Sequence, residues 1–98
     1  PPPPPPPPPP IIVETVSPSN LFQGTYETMV ITGSGFSPQA TVSFSNYRIT
    51  PNYYISINER TIILNIYVND YADSGYCSVT VTNPDGRSVT VHGALTIN

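Results

Sequence analysis

Few residues of this chain could perform covalent chemistry, because it contains one cysteine, Cys77, and one histidine, His92. A serine nucleophile needs a histidine and an acid beside it, and the sequence has no nucleophile-elbow motif. One histidine and one cysteine cannot form a zinc site alone. Cys77 falls on an inward phase of a predicted strand without a cationic neighbour, so we expect a buried thiol. We predict no enzyme activity and no cofactor.

Oxygen ligands and charges are equally sparse. Asn69, Asp70 and Asp73 share one loop, but their spacing matches no established calcium loop, so a solvated turn is favoured. Three arginines, no lysine and a net charge of −3 argue against nucleic acid and anionic membranes as partners. The sequence has no apolar run near 18 residues, so we expect no membrane insertion. It also has no Asn-x-Ser/Thr sequon, whereas O-linked glycan on proline or on Ser/Thr stays open.

Seven tyrosines are the most unusual candidates for binding. Tyrosine offers a flat apolar ring and a hydroxyl donor, which suits proline rings and sugar faces equally. Tyr67 and Tyr76 fall on outward strand phases, and the adjacent Tyr53 and Tyr54 cannot both face inward. Ile63 is also predicted outward, beside Tyr67. These five residues form the predicted interaction surface, although core tyrosines and a lone exposed isoleucine are common alternatives.

Residues 1–10 are all proline. Without N–H donors and with φ fixed near −65°, they should form a polyproline II rod of about 31 Å. The rod is either a spacer between domains or a ligand for aromatic grooves. In the second case Pro1, Pro5 and Pro10 are interaction residues, and tyrosines of the same or another copy would hold them.

The sequence that follows the proline run predicts an all-β domain at 11–98. Thr, Ile and Val number 30, against six Leu and Ala, and β-branched residues favour strands. Alternation and turn residues predict strands at 12–16, 28–32, 40–45, 53–58, 61–68, 76–82 and 88–97, with a bulge at His92-Gly93. Regular short strands indicate a sandwich. The predicted core is Met29, Ile31, Phe36, Val42, Phe44, Ile55, Ile57, Ile62, Leu64, Ile66, Cys77, Val79, Val81, Val89, Val91, Leu95 and Ile97.

Five segments together resemble the IPT/TIG domain (immunoglobulin-like, plexin, transcription factor). They are VSP at 16–18, ITGSGFSP at 31–38, ATVSF at 40–44, VTVTNPDG at 79–86 and GALTI at 93–97. The resemblance implies an early-type immunoglobulin-like sandwich of about seven strands, without a required disulfide and without catalytic residues. It also implies structural roles for Gly33 and Gly35 at a corner. The turn Asn83, Pro84, Asp85 and Gly86 would close a hairpin.

The favoured hypothesis is a repeat unit of an extracellular filament or cell-surface stalk, with other copies of itself as partners. Rods would space the sandwiches or be sheathed by them. A carbohydrate-binding or cell-adhesion module that uses surface tyrosines is the alternative. A DNA-binding domain of the transcription-factor type is disfavoured by the sparse positive charge.

Overall fold

The computed structural model describes residues 2–7 and 10–98, so the predictions for Pro1 and for positions 8 and 9 lie outside the described residues. Residues 2–7 and Pro10 are exposed and belong to no strand or helix. The strands of the described part are β1 (Ile12–Ser17), β2 (Asn20–Leu21), β3 (Thr25–Ser34), β4 (Thr41–Phe44), β5 (Ile49–Ile57), β6 (Thr61–Val68), β7 (Gly75–Thr82) and β8 (Ser88–Ile97).

These strands form two four-stranded sheets. The first sheet has the order β1-β3-β6-β5 and the second has the order β2-β8-β7-β4. All neighbours are antiparallel except β2, which pairs in parallel with the end of β8. The all-β sandwich predicted from the sequence is confirmed, with β2 as a short strand inside the segment predicted to be a loop.

The core lies between the two sheets and follows the period-2 pattern of the central strands. Alternate residues of β6 are fully buried, from Ile62 to Val68, and β7 buries Cys77, Val79 and Val81 in the same way. Burying one such aliphatic side chain contributes about 1.5–3 kcal/mol. The buried hydrophobic residues are Leu21, Met29, Ile31, Phe36, Ala40, Val42, Ile49, Ile62, Leu64, Ile66, Val68, Ala72, Cys77, Val79, Val81, Leu95 and Ile97.

The predicted core was wrong at Ile55, which is 52% exposed. Strand β5 begins at Ile49, earlier than predicted, and runs through Pro51. Its pairing with β6 shifts register twice, between Pro51 and Tyr53 and again between Tyr54 and Ser56. Each shift changes which residues face inward, so simple alternation fails along this strand. Four further predicted core residues are only half-buried: Phe44, Ile57, Val89 and Val91.

Gly33 lies inside β3 and not at the predicted corner, because β3 continues to Ser34. It is buried and pairs with Val13 of β1. A Cβ atom at this position would overlap the carbonyl oxygen of Ile12. The glycine therefore lets the first strand approach β3 closely, and Gly35 follows in the loop with a positive φ of 79°.

The predicted bulge near His92-Gly93 is present in β8. Cys77 pairs with Leu95 and Val79 pairs with Val91, so three residues of β8 lie opposite the single residue Ser78. Gly93 has a positive φ of 65°, as bulges often require. The Gly93 N–H donates to the Ser78 hydroxyl oxygen at 3.3 Å.

The two ends of the chain leave the sandwich at opposite ends. Ile12, which begins β1, pairs with Ser34 at the end of β3. The last residue, Asn98, accepts a hydrogen bond from the Gln23 N–H, just before β3 begins. The described chain measures 58 × 23 × 19 Å along its principal axes. The proline segment therefore precedes one end of an elongated molecule, and the carboxyl terminus lies at the other.

Candidate functional site

Most of the exposed aromatic side chains gather at the end of the sandwich that carries the carboxyl terminus. We call this end the tyrosine end. It is formed by the start of β3 and β7, the end of β6, and the loops that follow β2, β4 and β6. Its aromatic residues are Phe22, Tyr26, Tyr47, Tyr67, Tyr71 and Tyr76.

Tyr26 and Tyr67 form a stacked pair at this end. They lie directly opposite each other on β3 and β6. Their ring centroids are 4.8 Å apart and the planes are inclined by 39°. Aromatic pairs of this tilted kind are favourable cross-strand contacts. Tyr67 therefore lies on the outer face of the sheet, and its ring packs against the ring of Tyr26.

Arg48 holds two loops of the tyrosine end together. Its guanidinium carbon lies 5.1 Å from the centroid of the Tyr47 ring and 5.9 Å from that of Tyr71. Its Nε donates to the Tyr47 hydroxyl oxygen at 3.1 Å. The Arg48 carbonyl accepts from the Asn69 N–H at 3.0 Å. Cation–π contacts at exposed positions contribute about 0.5–1 kcal/mol each, so the rings have preferred orientations.

Tyr47 and Tyr76 form two walls of an open cleft of about 240 Å³, which we call the tyrosine cleft. The two rings are 76% and 84% exposed, the latter being the most exposed large hydrophobic side chain. Between them lie Asn46 and Asp73, whose loops are joined by a hydrogen bond from the Asn46 Nδ2 to the Asp73 carbonyl at 3.3 Å. The other lining residues are Ser45 and Ser74. The cleft thus combines apolar ring faces with a few polar groups.

The adjacent residues Tyr53 and Tyr54 point to opposite sides of β5. Tyr53 lies opposite Asn65, on the outer face of the first sheet, and is 55% exposed. Tyr54 lies opposite the buried Leu64. Its hydroxyl oxygen accepts the Val42 N–H of β4 at 2.8 Å, so it links the two sheets at their edge.

Ile63 is half-buried on the outer face of the first sheet. Its cross-strand neighbours there are Val30 on β3 and Ser56 on β5. The next pairs along β3 and β6 are Thr28 with Asn65 and Thr32 with Thr61. The centre of this face is therefore uncharged, with a small aliphatic patch.

The turn from β7 to β8 is fastened to the loop between β3 and β4 through Asn83, which is 4% exposed. Its Oδ1 accepts the Ser37 N–H at 3.0 Å and its Nδ2 donates to the Gly35 carbonyl at 2.9 Å. Pro84 is exposed in the turn, and Gly86 closes it with a φ of 91°. A cleft of about 380 Å³ lies between this turn and the loop.

Asp85 in this turn forms an ion pair with Arg87, and the distance from its Oδ2 to the Arg87 Nε is 2.7 Å. The Arg87 backbone N–H, and then its side chain, hold the pKa of the Asp85 carboxyl below its ordinary value. Pro10 lies near Gly35 at the same end, since a Cβ on Gly35 would overlap the Pro10 carbonyl oxygen. Pro5 and Pro10 are both exposed.

The two residues with reactive side chains lie in different settings. Cys77 is 1% exposed, and its thiol is within 3.5 Å of the Ser45 hydroxyl and the Ser78 carbonyl. His92 is exposed in the β8 bulge. Among residues 2–7 and 10–98, no group of three or more His, Cys, Asp or Glu residues could hold a metal ion. In the same residues, no helix has the length and hydropathy that crossing a membrane requires.

The comparison with known proteins agrees with this architecture. The sequence model of the IPT/TIG domain matches residues 10–97. The chain belongs to the IPT/TIG domain family. No curated protein sequence matches it significantly. As the resemblance implied, the IPT/TIG sandwich is immunoglobulin-like, and domains of this type are typically non-catalytic.

Two solved structures share the fold of this IPT/TIG domain. One is an auxiliary nutrient binding protein from Bacteroides ovatus ATCC 8483, with a TM-score of 0.59 and 19% identity over 91% of this chain. The chain spans 21% of that protein. The other is the BIgI domain of beta protein from S. agalactiae bound to CEACAM1, with a TM-score of 0.51 and 23% identity. That match covers 90% of this chain and 94% of the domain. At these identities the likeness establishes the fold alone.

Proposed function

We propose that this IPT/TIG domain is a structural unit of an extracellular filament or cell-surface stalk, in which proline rods alternate with sandwiches. The observation that carries the proposal is the placement of the proline segment and the carboxyl terminus at opposite ends of a molecule 58 Å long. Units joined in this way add length in one direction. A rod of ten prolines contributes about 31 Å of stiff spacing.

The surface chemistry supports a passive role outside the cell. Charged residues are 9% of the chain, and the polar surface is rich in hydroxyl groups, as in the Thr80–Thr90 pair, whose hydroxyls lie 2.8 Å apart across β7 and β8. The exposed proline residues and hydroxyl groups are candidate attachment points for O-linked glycan, which would be a further partner. The two structural neighbours include a nutrient binding protein and a domain bound to CEACAM1. The functions of these two proteins fit a domain that works in surface proteins and not as an enzyme.

A tandem protein with two copies of residues 1–98 tests this function. Small-angle X-ray scattering should give a maximum dimension near twice the 58 Å of one copy. The control replaces the second proline run by ten alternating Gly and Ser residues. Such a linker spans roughly 18 Å on average, against about 31 Å for a proline rod, so the average distance between the two sandwiches of the control should be shorter by about 13 Å and more variable. Equal dimensions for the two proteins would refute a spacing role.

The alternative function is carbohydrate binding or cell adhesion through the surface tyrosines. The tyrosine cleft favours it, because Tyr47 and Tyr76 could stack on sugar rings while the Asp73 carboxylate accepts their hydroxyl groups. Binding of the monomeric chain on a glycan array, lost in Tyr76→Ala, would support this function. Absence of binding at all glycans tested would argue against it.

A further inference from the structure

The tyrosine cleft brings two strongly exposed aromatic rings together at one opening. Tyr47 lies in the loop after β4 and Tyr76 lies on β7, and both are more than three-quarters exposed. Tyr47 is held in place by Arg48, and the loops beneath are joined by the Asn46–Asp73 hydrogen bond. Two exposed aromatic rings beside an open cleft form the kind of groove that accommodates proline rings.

One polar group of the cleft, the Tyr47 hydroxyl, suits a ligand that only accepts hydrogen bonds. The Tyr47 hydroxyl oxygen already accepts from the Arg48 Nε, so its own proton is available to a further acceptor. A proline residue has a carbonyl acceptor and no N–H donor. The Asp73 carboxylate, in contrast, can only accept, so a proline ligand gains nothing from it, whereas a sugar hydroxyl would. Asp73 therefore distinguishes the two classes of ligand.

The position of the cleft excludes the chain's own proline segment as its occupant. That segment joins β1 next to Gly35, at the opposite end of the sandwich. Tyr76 pairs with Thr96, two residues before the end of the sequence. A stiff rod that leaves one end of the molecule cannot turn back to the other end.

We propose that the tyrosine cleft binds prolines of residues 1–10 of a second copy, which joins copies head to tail. The inference rests on the proposed structural function and names the contact that would make its filament continuous. The two surfaces in contact are different, so the interaction is heterologous and leaves a free rod and a free cleft on every assembly. Contacts of this kind grow into open filaments when rotation does not close them into a ring.

The test is an NMR titration of the ¹⁵N-labelled full chain, at a dilution where it is monomeric, with a ten-residue proline peptide blocked at both ends. We expect amide shifts in the loops around Asn46 and Asp73. Truncating an aromatic anchor at the centre of a contact costs more than 1 kcal/mol, so Tyr76→Ala should weaken peptide binding about tenfold. Tyr47→Phe, which removes only the hydroxyl, should weaken it less. Ile55→Ala removes an exposed apolar side chain of β5, outside the cleft, and should leave the affinity unchanged.

Three results would overturn the proposal. The first is an absence of shifts around the cleft at millimolar peptide. The second is an equal loss of affinity in Ile55→Ala and Tyr76→Ala. The third is binding of cellohexaose at the cleft, abolished by Asp73→Asn, with no response to the proline peptide, which would assign the cleft to sugars. The scattering experiment on tandem copies measures spacing within one chain, so it can succeed while this contact fails.

Discussion

The buried side chain of Asn83 joins the β7–β8 turn to the loop between β3 and β4, at the end of the sandwich that follows the proline segment. The substitution Asn83→Asp tests that role with almost no change of shape. The amide accepts from the Ser37 N–H at 3.0 Å and donates to the Gly35 carbonyl at 2.9 Å. The substitution keeps the first bond but places an oxygen atom opposite the Gly35 carbonyl. A buried acceptor that loses its donor costs about 1–3 kcal/mol, and more when a charge faces it.

The size of the effect should depend on pH. Burial and the Gly35 carbonyl disfavour ionisation of the introduced carboxyl and raise its pKa in the folded state, while the Ser37 N–H offsets part of that rise. For a rise of about two units above the unfolded value near 3.9, the pH-dependent part is about 2.7 kcal/mol. Because the folded-state pKa is the higher one, this penalty is absent below about pH 4 and grows as the pH approaches about 6.

Urea unfolding followed by tyrosine fluorescence measures this difference, since the chain has no tryptophan. The free energy of unfolding of Asn83→Asp, relative to the unsubstituted chain, should be clearly lower at about pH 7 than at about pH 3.5. Asn83→Ala loses both hydrogen bonds without adding a titrating group, so its destabilisation should be the same at both pH values. If the two variants behave alike, or if Asn83→Asp costs less than about 0.5 kcal/mol at pH 7, the amide does not join the loops as described.

Three further predictions use the same unfolding measurement or NMR. Tyr54→Phe removes the acceptor of the Val42 N–H and should lower the free energy of unfolding by about 1 kcal/mol; no change would mean that water replaces the hydroxyl. Gly33→Ala forces a methyl group against the β1 carbonyl and should cost about 1–3 kcal/mol, and a neutral result would show that β1 can move away. The Asp85 carboxyl should titrate below its ordinary pKa by ¹³C NMR, and its small stabilising contribution should be lost as the pH falls through that value; Arg87→Ala should return the pKa towards normal.

How far the sequence could predict the fold depends on how regularly each strand pairs. Strand β6 alternates half-buried and buried residues throughout, and β7 does so from Cys77 to Thr82. The six core residues predicted on these strands are buried, although the buried Val68 was missed. Strand β5 was not predicted correctly, because two register shifts after Pro51 bring Tyr54 inward and leave Ile55 outside. Period-2 reasoning assumes an unbroken ladder, and a register shift depends on the neighbouring strand, which one segment of sequence does not reveal.

The tyrosine end shows the same limit for the candidate site. Tyr67 and Tyr76 could be placed outward because they belong to strands with clear phases. Tyr47 and Tyr71 lie in different loops, which long-range contacts such as the cation–π contact between Arg48 and Tyr71 bring to one end. The sequence signal that could have found them is the turn chemistry of Asn46 and Asn69, whose side chains accept backbone N–H groups two residues later. The assignment of Tyr67 and Tyr76 as binding residues stays a prediction.

The four edge strands each carry a feature that hinders pairing with a strand of another copy. Strand β1 has a register irregularity around the exposed Glu14, and β2 is only two residues long. On β4, the Val42 N–H is occupied by the Tyr54 hydroxyl. Strand β5 contains Pro51 and two register shifts. Prolines, charges, bulges and short edges are the devices by which sheet proteins avoid edge-to-edge aggregation.

The contacts between copies that we propose would therefore use the faces or ends of the domain. The outer face of the first sheet carries Ile63 and Val30, and a contact between two such identical faces would be isologous and would close at a dimer. The two ends differ, since one carries the prolines and the other the tyrosines. A contact between them is heterologous, so it repeats without closing unless the rotation forms a ring. Blocked edges and unlike ends together favour growth along the long axis over lateral aggregation, which is the arrangement that a filament or stalk requires.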